Sequence, residues 1–160
     1  MRWISHLSLS LAVVFTAFAV QAQTLDQTFK DWSVFQHQGG CYIASAPVKQ
    51  NGNYRKRGQP YLLLVHKGAG ADEINASSGY PYAAKSEVVV SLGGKQFKLF
   101  TKGSVAWAYD AAQDAQLVAS MKQGSSVSVR GTSLRKTWSE DSYSLGGFSA
   151  AYDRMKALCK

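Results

Sequence analysis

The sequence predicts a mainly β domain, an antiparallel sandwich that carries two short helices at about 110–123 and 147–158. Three observations point there. Short apolar runs recur along the chain between Gly, Pro and Asn turn signals, enough for about nine strands. One pair of them, Glu87–Leu92 and Lys95–Phe100 around Gly93-Gly94, has a register and an apolar division that agree with each other. Helical periodicity is confined to the two stretches named above.

Near its start the chain carries Arg2 and an apolar run from Leu7 to Val20, which ends in Val20-Gln21-Ala22. A positive start, a run shorter than the roughly 20 residues of a spanning helix, and small residues at the end make a cleavable signal peptide over 1–22. The expected mature chain is a single domain, 23–160, large enough to bury its own core. Nothing later in the sequence resembles a membrane span.

Thr24 to Lys30 is polar and reads as a loose lead-in. Trp32 to Phe35 starts a strand, Gln38-Gly39-Gly40 turns the chain, and Cys41 to Ala46 returns. Two-residue and three-residue loops both give plausible pairings there. Pro47 to Pro60 is bounded by prolines and has no apolar period. It is a surface loop or an edge segment, and with Lys49, Arg55, Lys56 and Arg57 it is the densest positive cluster in the chain. Tyr54 lies among these cations.

Tyr61 to His66 is apolar enough for a buried strand, and Glu73 to Ser78 alternates weakly. In the Gly93-Gly94 hairpin, Leu92 pairs with Lys95, Val90 with Phe97 and Val88 with Leu99. Val88, Val90, Phe97 and Leu99 then share one face and Ser91, Gln96 and Lys98 the other. Ser104 to Tyr109 is a strand around Trp107. Asp110 caps the first helix, with Gln113 placed as in a capping box and Gly124 as its C′ residue. Ser126 to Gly131 and Thr137 to Tyr143 form a last pair of strands, joined by a polar turn with Arg135 and Lys136. In the closing helix Phe148, Tyr152, Met155 and Cys159 fall on one face, which is core packing.

No catalytic, metal-binding or cofactor signature emerges: G-x-S-x-G, H-E-x-x-H, C-x-x-C and phosphate-cradling loops are all missing. His37 and His66 are too few for a zinc site with these cysteines. The acidic pairs Asp72-Glu73 and Glu140-Asp141 alternate across strands and read as solvated. Asn75-Ala76-Ser77 matches a glycosylation acceptor.

Cys41 and Cys159 are the only cysteines. In an exported chain a disulfide is their default state. The competing reading makes Cys41 a nucleophile with His37 or His66, which needs a nearby base and an electropositive site. The formal charge of +8 favours anionic envelope or host-surface molecules over nucleic acid, which is a poor partner for an exported protein. The cluster Lys49, Tyr54, Arg55, Lys56 and Arg57 is the candidate anion-binding loop. The chain therefore reads as a non-enzymatic binding protein. A periplasmic hydrolase or thiol enzyme and a passive envelope or stress protein are the alternatives.

Several stretches also resemble the invasion-associated locus B (IalB) family of exported bacterial proteins. They are the opening DWSVF, the Cys41-Tyr42 step, the hairpin GGKQFKLF, the run AWAYDAAQDAQLVASMKQGSSVSVRG over 106–131, and SLGGF before the last helix. The resemblance implies an immunoglobulin-like sandwich, a periplasmic or surface location, and a role linked to host-cell invasion or survival. It carries over no catalytic residues.

Overall fold

The computed structural model describes residues 23–37, 39–68 and 72–159. The expected signal peptide lies outside the described residues. Among these, eleven strands and two helices follow in chain order. The strands are β1 (Thr24–Phe29), β2 (Trp32–His37), β3 (Gly40–Ser45), β4 (Lys49–Gly52), β5 (Tyr61–His66) and β6 (Asp72–Ser77). After them come β7 (Glu87–Leu92), β8 (Lys95–Lys102), β9 (Val105–Trp107), α1 (Ala111–Gln123), β10 (Ser126–Thr132), β11 (Trp138–Ser144) and α2 (Phe148–Leu158).

The strands make one antiparallel sheet in the order β1-β2-β3-β5-β6-β9-β8-β7-β10-β11-β4. The pairing of Asn75 with Trp107 and of Ala76 with Ala106 joins its halves. The sheet folds back across that seam, so the two halves face each other as a sandwich. Strands far apart in the order meet: the Trp32 indole of β2 donates to the Ser144 carbonyl of β11 at 2.9 Å. Val34, Ile43, Leu62, Leu64 and Ile74 from one half pack with Val88, Val90, Leu99, Val127 and Val129 from the other in a single core. Burying such side chains stabilises by about 1.5–3 kcal/mol each. The β7–β8 register is the one the sequence predicts, from Leu92↔Lys95 to Val88↔Leu99. In the first hairpin His37 pairs with Gly40, which selects the shorter loop.

The helices cover the sandwich. α1 packs on β6 and buries Leu117, Val118 and Met121. α2 packs on β2 and β3, where Phe148 meets the Trp32 ring edge-on at 4.9 Å.

Several local expectations need correction. Thr24–Phe29 is a paired strand and not a lead-in, with a bulge between Leu25 and Gln27. Its sequence, TLDQTF, is polar because it is an edge strand exposed to solvent, so periodicity gives no sign of it. Arg154 of α2 holds it with a two-pronged bond to Asp26 at 2.8 and 2.7 Å. At α1, Asp110 caps Gln113 N as expected, but the Gln113 side chain accepts from Tyr109 N and not from the cap residue. Gly124 follows α1 with φ −88, so left-handed backbone is not its reason. An added Cβ would lie 2.8 Å from a Leu92 methyl and 3.0 Å from a Leu145 methyl, so a side chain there would have to displace both. The Asn75 acceptor sits on buried strand β6.

Candidate functional site

The basic cluster of 47–60 divides in two when folded. β4 lies along β11 at the end of the sheet, Lys49 opposite Ser142 and Gly52 opposite Ser139, which leaves Lys49 on an exposed edge. The chain then turns through 53–60 back towards β5. Arg55 and Lys56 point to solvent. The ion pairs among the described residues involve neither of them, nor Lys49.

Arg57 behaves in the opposite way. Its side chain is 3% exposed and that of Asp141 is 0%. Nη1 donates to Asp141 Oδ2 at 2.6 Å and to the Ser78 carbonyl at 3.0 Å. Nη2 donates to Gln50 Oε1 at 2.8 Å and also to Asp141 Oδ1. The guanidinium lies over the Tyr54 ring at 4.3 Å. Burial alone would lower the Arg57 pKa, but the Asp141 carboxylate outweighs it, and the group is held above its ordinary value. Arg57 is therefore a staple between β11 and the segment after β6 rather than a free cation. Asp141 is correspondingly not solvated. The Arg57 Nε is buried and has no partner.

Beside this pair opens a cleft of about 380 Å³ lined by Tyr54, Lys56 and Arg57 of the loop, Tyr80 and Pro81, and Arg135 of the β10–β11 turn. No carboxylate lines it. Its walls are held by hydrogen bonds: Tyr80 donates to the Gly131 carbonyl at 2.9 Å, Gly58 N to the Gly79 carbonyl at 2.8 Å, and Leu134 N to the Pro81 carbonyl at 3.0 Å. Gly79 has φ +75, and a Cβ there would stand 2.2 Å from the Gly58 carbonyl oxygen, so glycine alone allows this approach. Burial pushes the nearby Tyr82 hydroxyl up to about 12, so it stays neutral. Leu134, at 61% exposed, stands on the lip.

Arg135 is the cleft residue that sequence reasoning misses. It lies far from Lys56 in the chain, and the only available signal was a second basic pair in a turn. The pairing of β4 with β11 and the isolated bridge Tyr82↔Ser133 bring the two together.

The second polar cluster surrounds the disulfide. Cys41 and Cys159 are bonded, with Cα atoms 5.9 Å apart. That bond removes the thiolate a cysteine nucleophile requires. His66 is opposite Cys41 across the β3–β5 ladder. Its Nδ1 lies 2.7 Å from Asp72 Oδ1 and 3.2 Å from Lys156 Nζ, and Tyr152 donates to Asp72 Oδ2 at 2.7 Å. Asp72 is therefore enclosed, where the sequence suggested solvent. Desolvation and the Asp72 carboxylate push Tyr152 up to about 12. Among the described residues no three of His, Cys, Asp and Glu gather to hold a metal ion, and no helix is long and apolar enough to cross a membrane.

A family model described as "Invasion associated locus B (IalB) protein" matches residues 32–156. The crystal structure of invasion associated protein B from Bartonella henselae superposes with a TM-score of 0.62 at 18% identity, covering 84% of this chain and 98% of that one. At that identity the likeness is one of fold. No individually curated protein matches the chain.

Proposed function

The chain belongs to the invasion-associated locus B family, and from that premise we propose that it is exported after cleavage behind Ala22 and acts by binding rather than by catalysis. Its partner is an anionic envelope or host-surface molecule, phosphorylated or carboxylated, in contexts linked to invasion. The cleft between the 53–60 loop and the β10–β11 turn receives the anion. One observation carries this reading: Lys56, Arg57 and Arg135 converge on a cleft with no carboxylate in its lining. Lys56 and Arg135 supply the attraction. Arg57, already neutralised by Asp141, fixes the loop. Lys49 and Arg55 extend the positive surface beside the cleft, and the Tyr54 ring forms part of its wall.

The test is binding of mature protein to heparin, lipopolysaccharide and anionic vesicles as salt is raised. A partner held by exposed cations weakens steeply through the physiological range, where the screening length is about 8 Å. Lys56→Ser with Arg135→Ser removes most of the binding and leaves the melting temperature in place. Lys95→Ser with Lys102→Ser is the control for net charge. Equal weakening by both pairs would mean bulk charge and not this cleft. Intact mass of the periplasmic protein checks the start at Gln23.

A further inference from the structure

A second surface differs in kind from the basic cleft. On the outward face of the sheet, Glu87 of β7, Phe100 of β8, Trp107 of β9 and Asn75 of β6 are directly opposite one another in turn, so they form one row across four strands. The core face of the same strands is filled by Val88, Leu99, Ala106 and Ile74. Phe100 and Trp107 stack at 5.6 Å with ring planes 25° apart, and Tyr109 joins Phe100 at 5.5 Å. Phe100 is 37% and Tyr109 57% exposed. These rings form one wall of an open cleft of about 510 Å³ whose other walls carry Lys67 and Lys102 and the carboxylates of Asp72, Glu73, Asp110 and Asp114.

The shelf is held in place rather than merely exposed. The Tyr109 hydroxyl donates to Glu87 at 2.9 Å, and its backbone N donates to Gln113 Oε1 at 2.8 Å. Little ordering cost then remains for a ligand to meet. The charges at its two ends are already paired: Glu87 with Lys98 at 2.9 Å and Glu73 with Lys67 at 2.5 Å. An anion here would face Asp72, Glu73, Asp110 and Asp114, and a cation would face Lys67 and Lys102. Either ion meets its own sign, so the complementary occupant is uncharged. It must still answer the paired donors and acceptors beside the rings, and it needs an apolar face to lie on aromatic carbon. A pyranose ring meets all three demands, because its axial C–H groups form a flat apolar face and its rim carries hydroxyls that both donate and accept.

We propose that the Phe100–Trp107–Tyr109 shelf binds an uncharged pyranose of a glycan. The site is separate from the anion cleft and does not depend on it. The experiment titrates mature protein with maltohexaose, cellohexaose, mannohexaose and chitohexaose, read by calorimetry and by tryptophan fluorescence. At least one binds saturably. Because no net charge is used, its affinity changes less than about twofold between ~50 and ~500 mM salt. Phe100→Ala with Tyr109→Ala weakens binding by at least roughly tenfold with the melting temperature nearly kept, since both side chains lie outside the core. Tyr109→Phe keeps the ring and most of the affinity. Failure of all four sugars to bind folded protein overturns the proposal. So does binding that survives the double variant, or that falls steeply with salt. Self-association that the double variant abolishes, with no sugar bound, would make the shelf a contact between copies and overturn it too.

Discussion

The two ends of the β5–β6 hairpin both bury charge, and they are secured by different means. At the end with His66 and Asp72, the polar cluster lies beside a covalent bond: Cys41 of β3 is tied to Cys159 after α2, across 118 residues of sequence. At the end with Tyr61 and Ser78, nothing covalent holds the loop 53–60. There Arg57 and Asp141 hold each other out of water, with Ser78 and Gln50 as further partners. The covalent end can lose a polar contact and keep its geometry. The ionic end cannot lose a partner without stranding a buried charge. A third buried carboxylate sharpens the contrast: Asp114 forms no ion pair among the described residues, and its side chain accepts from Ile74 N at 2.8 Å.

The largest expected effect is on the covalent end. Cys41→Ser or Cys159→Ser lowers stability by about 4–5 kcal/mol in the chain-entropy treatment. The double variant loses little more, because all three remove one bond. Single losses that simply add in denaturant titrations would break this account. Next comes the ionic end. Arg57→Ser leaves Asp141 buried without a counter-charge and costs about 3–5 kcal/mol, whereas replacing the pair by Met and Leu recovers most of it. Lys56→Ser, one residue away and exposed, stays within about 0.5 kcal/mol. If Arg57→Ser were as mild as Lys56→Ser, the pair would be solvated and the contrast false.

A smaller effect tests the polar cluster itself. Tyr152→Phe removes the donor to Asp72 and costs about 1–2 kcal/mol in thermal unfolding, while the disulfide keeps α2 in place. The smallest effect has the opposite sign. Desolvation raises the Asp114 pKa above its ordinary value of 3.8, so the folded state holds that proton more tightly than the unfolded chain does. The protonated form therefore stabilises at low pH, and this is lost as pH rises through the raised folded value. Asp114→Asn keeps an acceptor for Ile74 and removes the charge. Its melting temperature exceeds that of the parent at pH 7, and the gain shrinks as pH falls towards 3.8. A constant gain at all pH values would separate the effect from titration.

Much of the sandwich was legible in the chain. The β7–β8 hairpin is readable because its alternation, its Gly-Gly turn and its register are all local. The Asp110 cap and the buried stripe of α2 are readable for the same reason. The polar edge strand β1 was not, since a strand whose side chains face water carries no apolar period. Gly124 ends α1 as expected but without left-handed backbone, and the Leu92 and Leu145 methyls that crowd it come from parts of the chain distant in sequence.

The candidate sites follow the same division. Composition and local pattern alone determined a basic chain, a positive segment over 47–60 and a cysteine pair suited to one bond. They could not separate Lys56 from Arg57, adjacent residues of the same charge. Only the tertiary structure decided that one meets solvent and the other Asp141, that Arg135 joins the cleft, and that Phe100, Trp107 and Tyr109 share a shelf. The physical reason is that local backbone preference and hydrophobic period act between near neighbours in sequence. Burial of a charge, or convergence of side chains on a ligand, depends on which distant strand lies alongside, and the strand pairing sets that.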